Sequence, residues 1–350
     1  MNTHSFPALM IGIAALCSVS VFAKPYLPDN QDAALLMVPE LAVQSATLED
    51  IRTLIDNAQR PSGTIDGFSL ADALIQPHLN TNASPEALYL WARIQQHQHN
   101  FKGAEQTLKR LLAQQPDDAS ARLLLASVQT IQGKFTQARQ SCLQLIGRSS
   151  MLVSAACALD NSFQQAITED NRVQSYRELQ SVATRYPSQH QEESVWLMQI
   201  LAGMALALNR PEEALAHLSL PADSQRPISY LSLWAEAQLA QDNPQAVLTT
   251  LADIASRTGE ADDNLLLKLA LAEQMTGTFQ HWQVRCLNRI TLREQRQDTT
   301  HASLLASYYL LLGDRPDKAL FWAKINWQQN RLLSDRQLLI DAEQAFNPQS

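Results

Sequence analysis

Shifted by 34 residues, the segment from Pro85 to Pro116 falls onto the segment from Ala119 to Ser150. Ala92 then meets Ala126, Phe101 meets Phe135, Ala104 meets Ala138 and Leu111 meets Leu145, with Ile94 over Val128 and Leu108 over Cys142. Any two amphipathic helices share an apolar period. Small residues and an aromatic recurring together at one register are more restrictive. They mark where two helices cross closely and where a second helix begins, with Pro116 ending it. One such helix-turn-helix unit cannot bury its apolar face alone, so units of this length have to stack.

Weaker copies of the same pattern follow. Ala202 and Ala214 keep the twelve-residue interval of Ala92 and Ala104, with Asn209-Arg210-Pro211 as the turn. Ala235 with Ala246 and Ser307 with Ala319 extend the series, and Gly277-Thr278-Phe279 marks another turn. Pro211, Pro244 and Pro316 each stand just before an alanine, at a first helical turn where the missing N–H of proline costs nothing. The stretch from Met151 to Pro187 is the least regular, yet Val173, Tyr176, Leu179 and Val182 still form one helical stripe. Only 10 glycines occur and Leu, Ala and Gln prevail, so the expected chain is all-α with no strands.

On these residues the chain resembles the tetratricopeptide repeat (TPR) family. The resemblance implies a right-handed superhelical solenoid of antiparallel helix pairs, about seven over residues 84–350. Its concave surface would be formed by the first helix of each pair. By repeat register that surface includes Tyr89, Arg93, Gln96, Leu123, Ser127, Thr130, Trp196 and Gln199. Repeats that clamp a peptide carboxylate line up Lys, Arg and Asn there. Only Arg93 approaches this, and Leu124 stands where Asn is needed. The segments Asp298-Thr299-Thr300-His301 and Asn326-Trp327-Gln328-Gln329, with the Leu-rich run from Leu265 to Glu273, are further similar to exported TPR proteins of Gram-negative bacteria.

The first 23 residues differ from the rest. Ala8 to Phe22 is almost wholly apolar, and Val21-Phe22-Ala23 offers small residues at a signal-peptidase spacing. This reads as a cleaved signal, too short to span a bilayer comfortably, and no other segment is a candidate span. The expected location is the periplasm. Residues 24–83, rich in Pro, Asn and Asp, read as a partly ordered leader that caps the first repeat, with short helices near Leu48 to Ala58 and Leu70 to Pro77. Three cysteines follow the signal. Cys142 and Cys157 fall on helices that pack together in such a stack, so they are read either as a disulfide or as two buried thiols, and Cys286 as a lone thiol.

No catalytic constellation emerges: there is no Gly-rich phosphate loop, Gly-x-Ser-x-Gly elbow, His-Glu-x-x-His helix or Cys-x-x-Cys pair. Neither a cofactor nor a metal site is expected. His97 and His99 form a His-x-His read as an exposed polar turn, and His301 as a capping or packing residue. The six tryptophans read as core, with Trp196 the one to examine for exposure. A net charge of -8 with no basic run excludes nucleic acid as a partner. The expectation is a non-catalytic scaffold that binds a protein or peptide in its groove. The alternative is an assembly or maturation chaperone for a membrane-bound or metal-handling envelope complex.

Overall fold

The computed structural model describes residues 46–61, 63, 67–80, 82–258, 262–277 and 281–347, all within one unit spanning Ala34–Ser350. The signal segment and the start of the leader lie outside the described residues. Seventeen α-helices and no strands occur among those described. They run as α1 Leu48–Ala58, α2 Gly67–Ile75, α3 Pro85–His97, α4 Phe101–Gln114, α5 Ala119–Ile131, α6 Phe135–Leu143, α7 Met151–Gln165, α8 Glu169–Arg185 and α9 Gln191–Ala207. There follow α10 Pro211–His217, α11 Ile228–Ala240, α12 Pro244–Thr258, α13 Asp263–Thr276, α14 His281–Gln295, α15 Ala302–Leu311, α16 Pro316–Gln329 and α17 Leu333–Phe346. Each odd helix up to α15 packs antiparallel on the next even one, and α17 closes the series. The chain is a helical-repeat solenoid, as the 34-residue period requires.

Local signals fix the ends of these helices. The side chains of Ser84, Asp118, Ser150 and Thr168 each accept a hydrogen bond from a backbone N–H in the first turn of α3, α5, α7 and α8. Within the hairpins the turn is repeated at one backbone position. His99, Gly133, Asn209, Asp242 and Asp314 all have positive φ, between 44° and 71°, two residues before α4, α6, α10, α12 and α16. Asn and Asp tolerate this left-handed region better than most residues and glycine takes it freely, so their recurrence there has a steric cause.

The alanines serve the close crossings foreseen for them. Ala92, Ala104, Ala138, Ala202, Ala214, Ala235 and Ala319 have no exposed surface, and Ala126 almost none. A polar element repeats with them: Thr107 hydrogen-bonds Gln95 at 2.8 Å, and 34 residues on Ser141 bonds Gln129 at 2.8 Å. Both pairs tie the first helix of a hairpin to the second inside the core, where an unpartnered amide would be costly. The irregular third hairpin, α7 with α8, keeps its stripe, since Tyr176 and Leu179 are fully buried and Val173 and Val182 pack against them.

Among the described residues of the leader both expected short helices occur, at Leu48–Ala58 and Gly67–Ile75. Helices α1 and α2 form a hairpin whose Ile51, Ile55, Phe68, Ala71 and Ile75 share one apolar cluster with Ala87, Leu90 and Ile94 of α3. The capping box of Thr47 and Asp50 starts it.

The array also winds back on itself. The backbone N–H of Ile228 donates to Gln59 O at 2.9 Å and that of Arg331 to Ile131 O at 2.8 Å. The N–H of Leu333 donates to Gln164 Oε1 at 3.1 Å across 169 residues of chain. The His99 and His301 rings lie 6.4 Å apart. In each case the turn inside an early hairpin meets the connection that leads into a late one, so successive turns of the solenoid touch edge to edge.

Candidate functional site

The first helices of successive hairpins bring their polar side chains to one another. Arg52 of α1 contacts Glu86 of α3 at 2.6 Å, and Arg93 of α3 contacts Asp56 of α1 at 2.7 Å. Farther along, Ser229 of α11 donates to Gln199 of α9 at 2.5 Å, and Lys268 of α13 contacts Glu236 of α11 at 2.8 Å. These three cations and one amide are thereby taken up by the neighbouring repeat. Arg93, the one candidate for holding a carboxylate, already carries one.

Beside the first of these pairs lies a cavity of about 350 Å³ lined by Arg52, Ser84, Glu86, Tyr89, Asp118 and Ser120. Ser84 and Asp118 are there as the N-caps of α3 and α5, which is why two helix starts and a tyrosine converge. Burial raises the Tyr89 hydroxyl above the usual phenol range, so it is a neutral hydrogen-bonding group.

The remaining residues of the expected surface divide. Gln96 is half-buried and Ser127 exposed. Leu123 packs beside Ala126, Leu145 and the cysteines. Thr130 is buried: its hydroxyl donates to Ala126 O at 3.0 Å and lies 3.2 Å from Asn161 Oδ1, so it joins α5 to α7 and offers nothing to a partner. Trp196 is half-buried against the large core that runs from α7 to α17. The other tryptophans are core or near-core, Trp322 being buried and Trp327 lying 4.4 Å beneath the Arg331 guanidinium.

Cys142 of α6 and Cys157 of α7 form a disulfide, with Cα atoms 5.5 Å apart. It lies in a small apolar cluster with Ala126 and Leu145. Cys286 is buried and free, and burial pushes its thiol up to about 12, so it holds no thiolate for chemistry.

The turn of the first two histidines is largely exposed, at His97, Gln98 and Asn100, with His99 half-buried. His97 stacks on Phe68 of α2 at 3.5 Å between ring centroids, and His99 buries an Nδ1 that has no hydrogen-bond partner. His301 ends a 3-10 turn over Thr299–His301 that Asp298 caps. No group of three or more His, Cys, Asp or Glu placed to hold a metal occurs among the described residues. None of the described helices is long and apolar enough to cross a membrane.

Sequence reasoning missed Asp56, Arg52 and Glu86 as members of this face. The first two sit in the segment expected to cap the first repeat, which lacks the repeat register that would place single residues on this face.

Comparison with known proteins finds a family match over part of the chain. Residues 74–128, from the end of α2 to the middle of α5, match the Tetratricopeptide repeat family. Among solved structures the chain is similar to a tetratricopeptide repeat protein from Parabacteroides merdae, at 15% identity, with a TM-score of 0.42 over 74% of this chain and 98% of that one. None of the curated proteins compared with the chain matches it.

Proposed function

Starting from the premise that this is a tetratricopeptide repeat protein, we propose that it is a non-catalytic scaffold of the bacterial periplasm which holds a protein or peptide along the inner face of its first helices. The fold itself suggests protein–protein interaction. The observation that carries the finer reading is the pairing of Arg93 with Asp56, Arg52 with Glu86 and Lys268 with Glu236 across that face. A surface whose charges are matched internally discriminates by shape, apolar contact and backbone hydrogen bonding, and the occupant it favours is a helix or extended segment without a required terminal carboxylate. Tyr89, Ser127 and Trp196 are the side chains with area to offer.

Support for the compartment comes from the disulfide, because such bonds persist where the surroundings are oxidising, and from the signal-like residues 1–23. Fractionation of cells making the full chain tests the location, and recovery in the cytoplasmic fraction with reduced Cys142 and Cys157 refutes it. For binding, pull-down of the native protein against a Trp196→Ala and Tyr89→Ala double variant is the direct test. Loss of the captured partner with retained helicity is expected, and undiminished capture removes the inner face from the account.

A further inference from the structure

The repeat register singles out one residue. The left-handed turn position is Gly, Asn or Asp in four hairpins and histidine in the first. There the side chain is not solvent-facing: His99 lies against Phe101 at 5.4 Å and against His301, across the seam between successive turns of the solenoid. The same position in the second hairpin is also a seam contact, since a Cβ on Gly133 would stand 2.9 Å from Arg331 Cβ. The seam is therefore built on turn residues, and in the first hairpin it is built on histidines.

We infer that the contact of His99 with His301 is an acid-opened latch between successive turns of the solenoid. Two observations of geometry carry this. His99 Nδ1 is buried with no partner, so a proton placed there would be an unpaired charge shielded from water. His301 Nδ1 lies 2.8 Å from both Arg293 Nη1 and Asp298 Oδ2. A charge added to this cluster therefore stands against the Arg293 guanidinium.

The charged groups round the latch come from every element that packs on it. They are Asp72 of α2, bound by Gln98, Asp298 and His301 of the 3-10 turn, and Arg293 of α14, itself paired with Asp263 of α13. Asp298 alone favours a proton on these rings, and Arg293 is bonded to it at 2.5 Å. Burial, then the neighbouring His301, lowers His99. In the open form it returns toward the ordinary value near 6.5. A base whose pKa is depressed by closure takes up its proton more readily when open, so closure is fully favoured above pH 6.5 and weakens as pH falls below it.

If the inner face binds a partner, opening would admit or release it. That consequence rests on the proposed function, whereas the test below reads geometry alone, so the two can fail separately.

The test is small-angle scattering and far-UV circular dichroism on the purified protein at pH 7.5 and pH 5.0, beside a His97→Gln, His99→Asn, His301→Gln variant. The expected result is a radius of gyration that rises at pH 5.0 by about a tenth of the roughly 20 Å of a compact chain this long, with ellipticity unchanged, and no rise in the variant. Should the triple variant not fold, His99→Asn alone serves, because Asn209 occupies the same backbone conformation in another hairpin. A radius constant to pH 5.0, an equal rise in the variant, or a rise accompanied by loss of helix signal each overturns the latch.

Discussion

Reducing the Cys142–Cys157 bond is expected to loosen one joint of the solenoid and leave the others as they were. The bridge closes a loop of 15 residues, which in the chain-entropy description corresponds to about 3 kcal/mol. It sits where apolar continuity is thinnest. Ala126, Cys142, Leu145 and Cys157 form a four-residue cluster of their own, between the cluster that the first hairpin makes with α5 and the large core that begins at Leu152. In a stacked array stability is largely a sum of unit and nearest-neighbour interface contributions, so the loss should be local. Since about 1.4 kcal/mol is a factor of ten, 3 kcal/mol is roughly a hundredfold in the local opening constant. Hydrogen exchange by mass spectrometry on the oxidised protein, the reduced protein and a Cys142→Ala/Cys157→Ala variant measures it. Protection in α6 and α7 should fall by about that factor in both altered forms while α11 to α16 keep theirs. Unchanged protection in α6 and α7 with the thiols confirmed free, or an even loss along the whole chain, refutes the reasoning.

Other outcomes follow from single contacts. Gly133→Ala places a Cβ at φ +71° and 2.9 Å from Arg331 Cβ, and should cost about 1–2 kcal/mol in urea denaturation, more than Asp314→Ala, whose turn lies in a late hairpin. Glu105 is buried, which raises its pKa, but hydrogen bonds from Lys109 at 2.7 Å, Lys134 at 2.5 Å and Gln132 outweigh burial and hold it at about 2. Its folded pKa is thus below the ordinary glutamate value of 4.5, so its contribution is complete above pH 4.5 and lost as pH falls toward 2. Glu105→Gln should flatten that part of the stability–pH curve. Tyr176→Phe removes a hydroxyl that donates to Glu213 at 2.9 Å and lies 2.7 Å from His217 Nε2; a loss of about 1–2 kcal/mol is expected in thermal melts.

Much of this architecture was legible before any coordinates, because a repeat writes the same packing demand several times. Alanines at the crossings, prolines at second-helix starts and the stripe of Tyr176 and Leu179 all report local helix contacts, which spacing along the chain can encode. The pairing of Arg93 with Asp56 was not legible, since the short helices expected in the leader carry no repeat register to set Asp56 against α3. Nor was the seam: His99 meeting His301, and Gly133 meeting Arg331, follow from the pitch of the winding, which no single repeat records. Thr130 shows the same limit at short range. Its register places it with Gln96 on the first helix, and the arrival of Asn161 from α7 is what buries it.

The central claim is that the inner face holds a partner, and site-specific photo-crosslinking in intact cells tests it most directly. A crosslinking residue at Ser127, on the first helix of the second hairpin, would be compared with one at Arg177, which is exposed on the second helix of the third. The account predicts one dominant protein adduct from Ser127 and none of comparable yield from Arg177, with the adduct identified by mass spectrometry. Equal labelling from the two positions, or adducts from Arg177 alone, would contradict it.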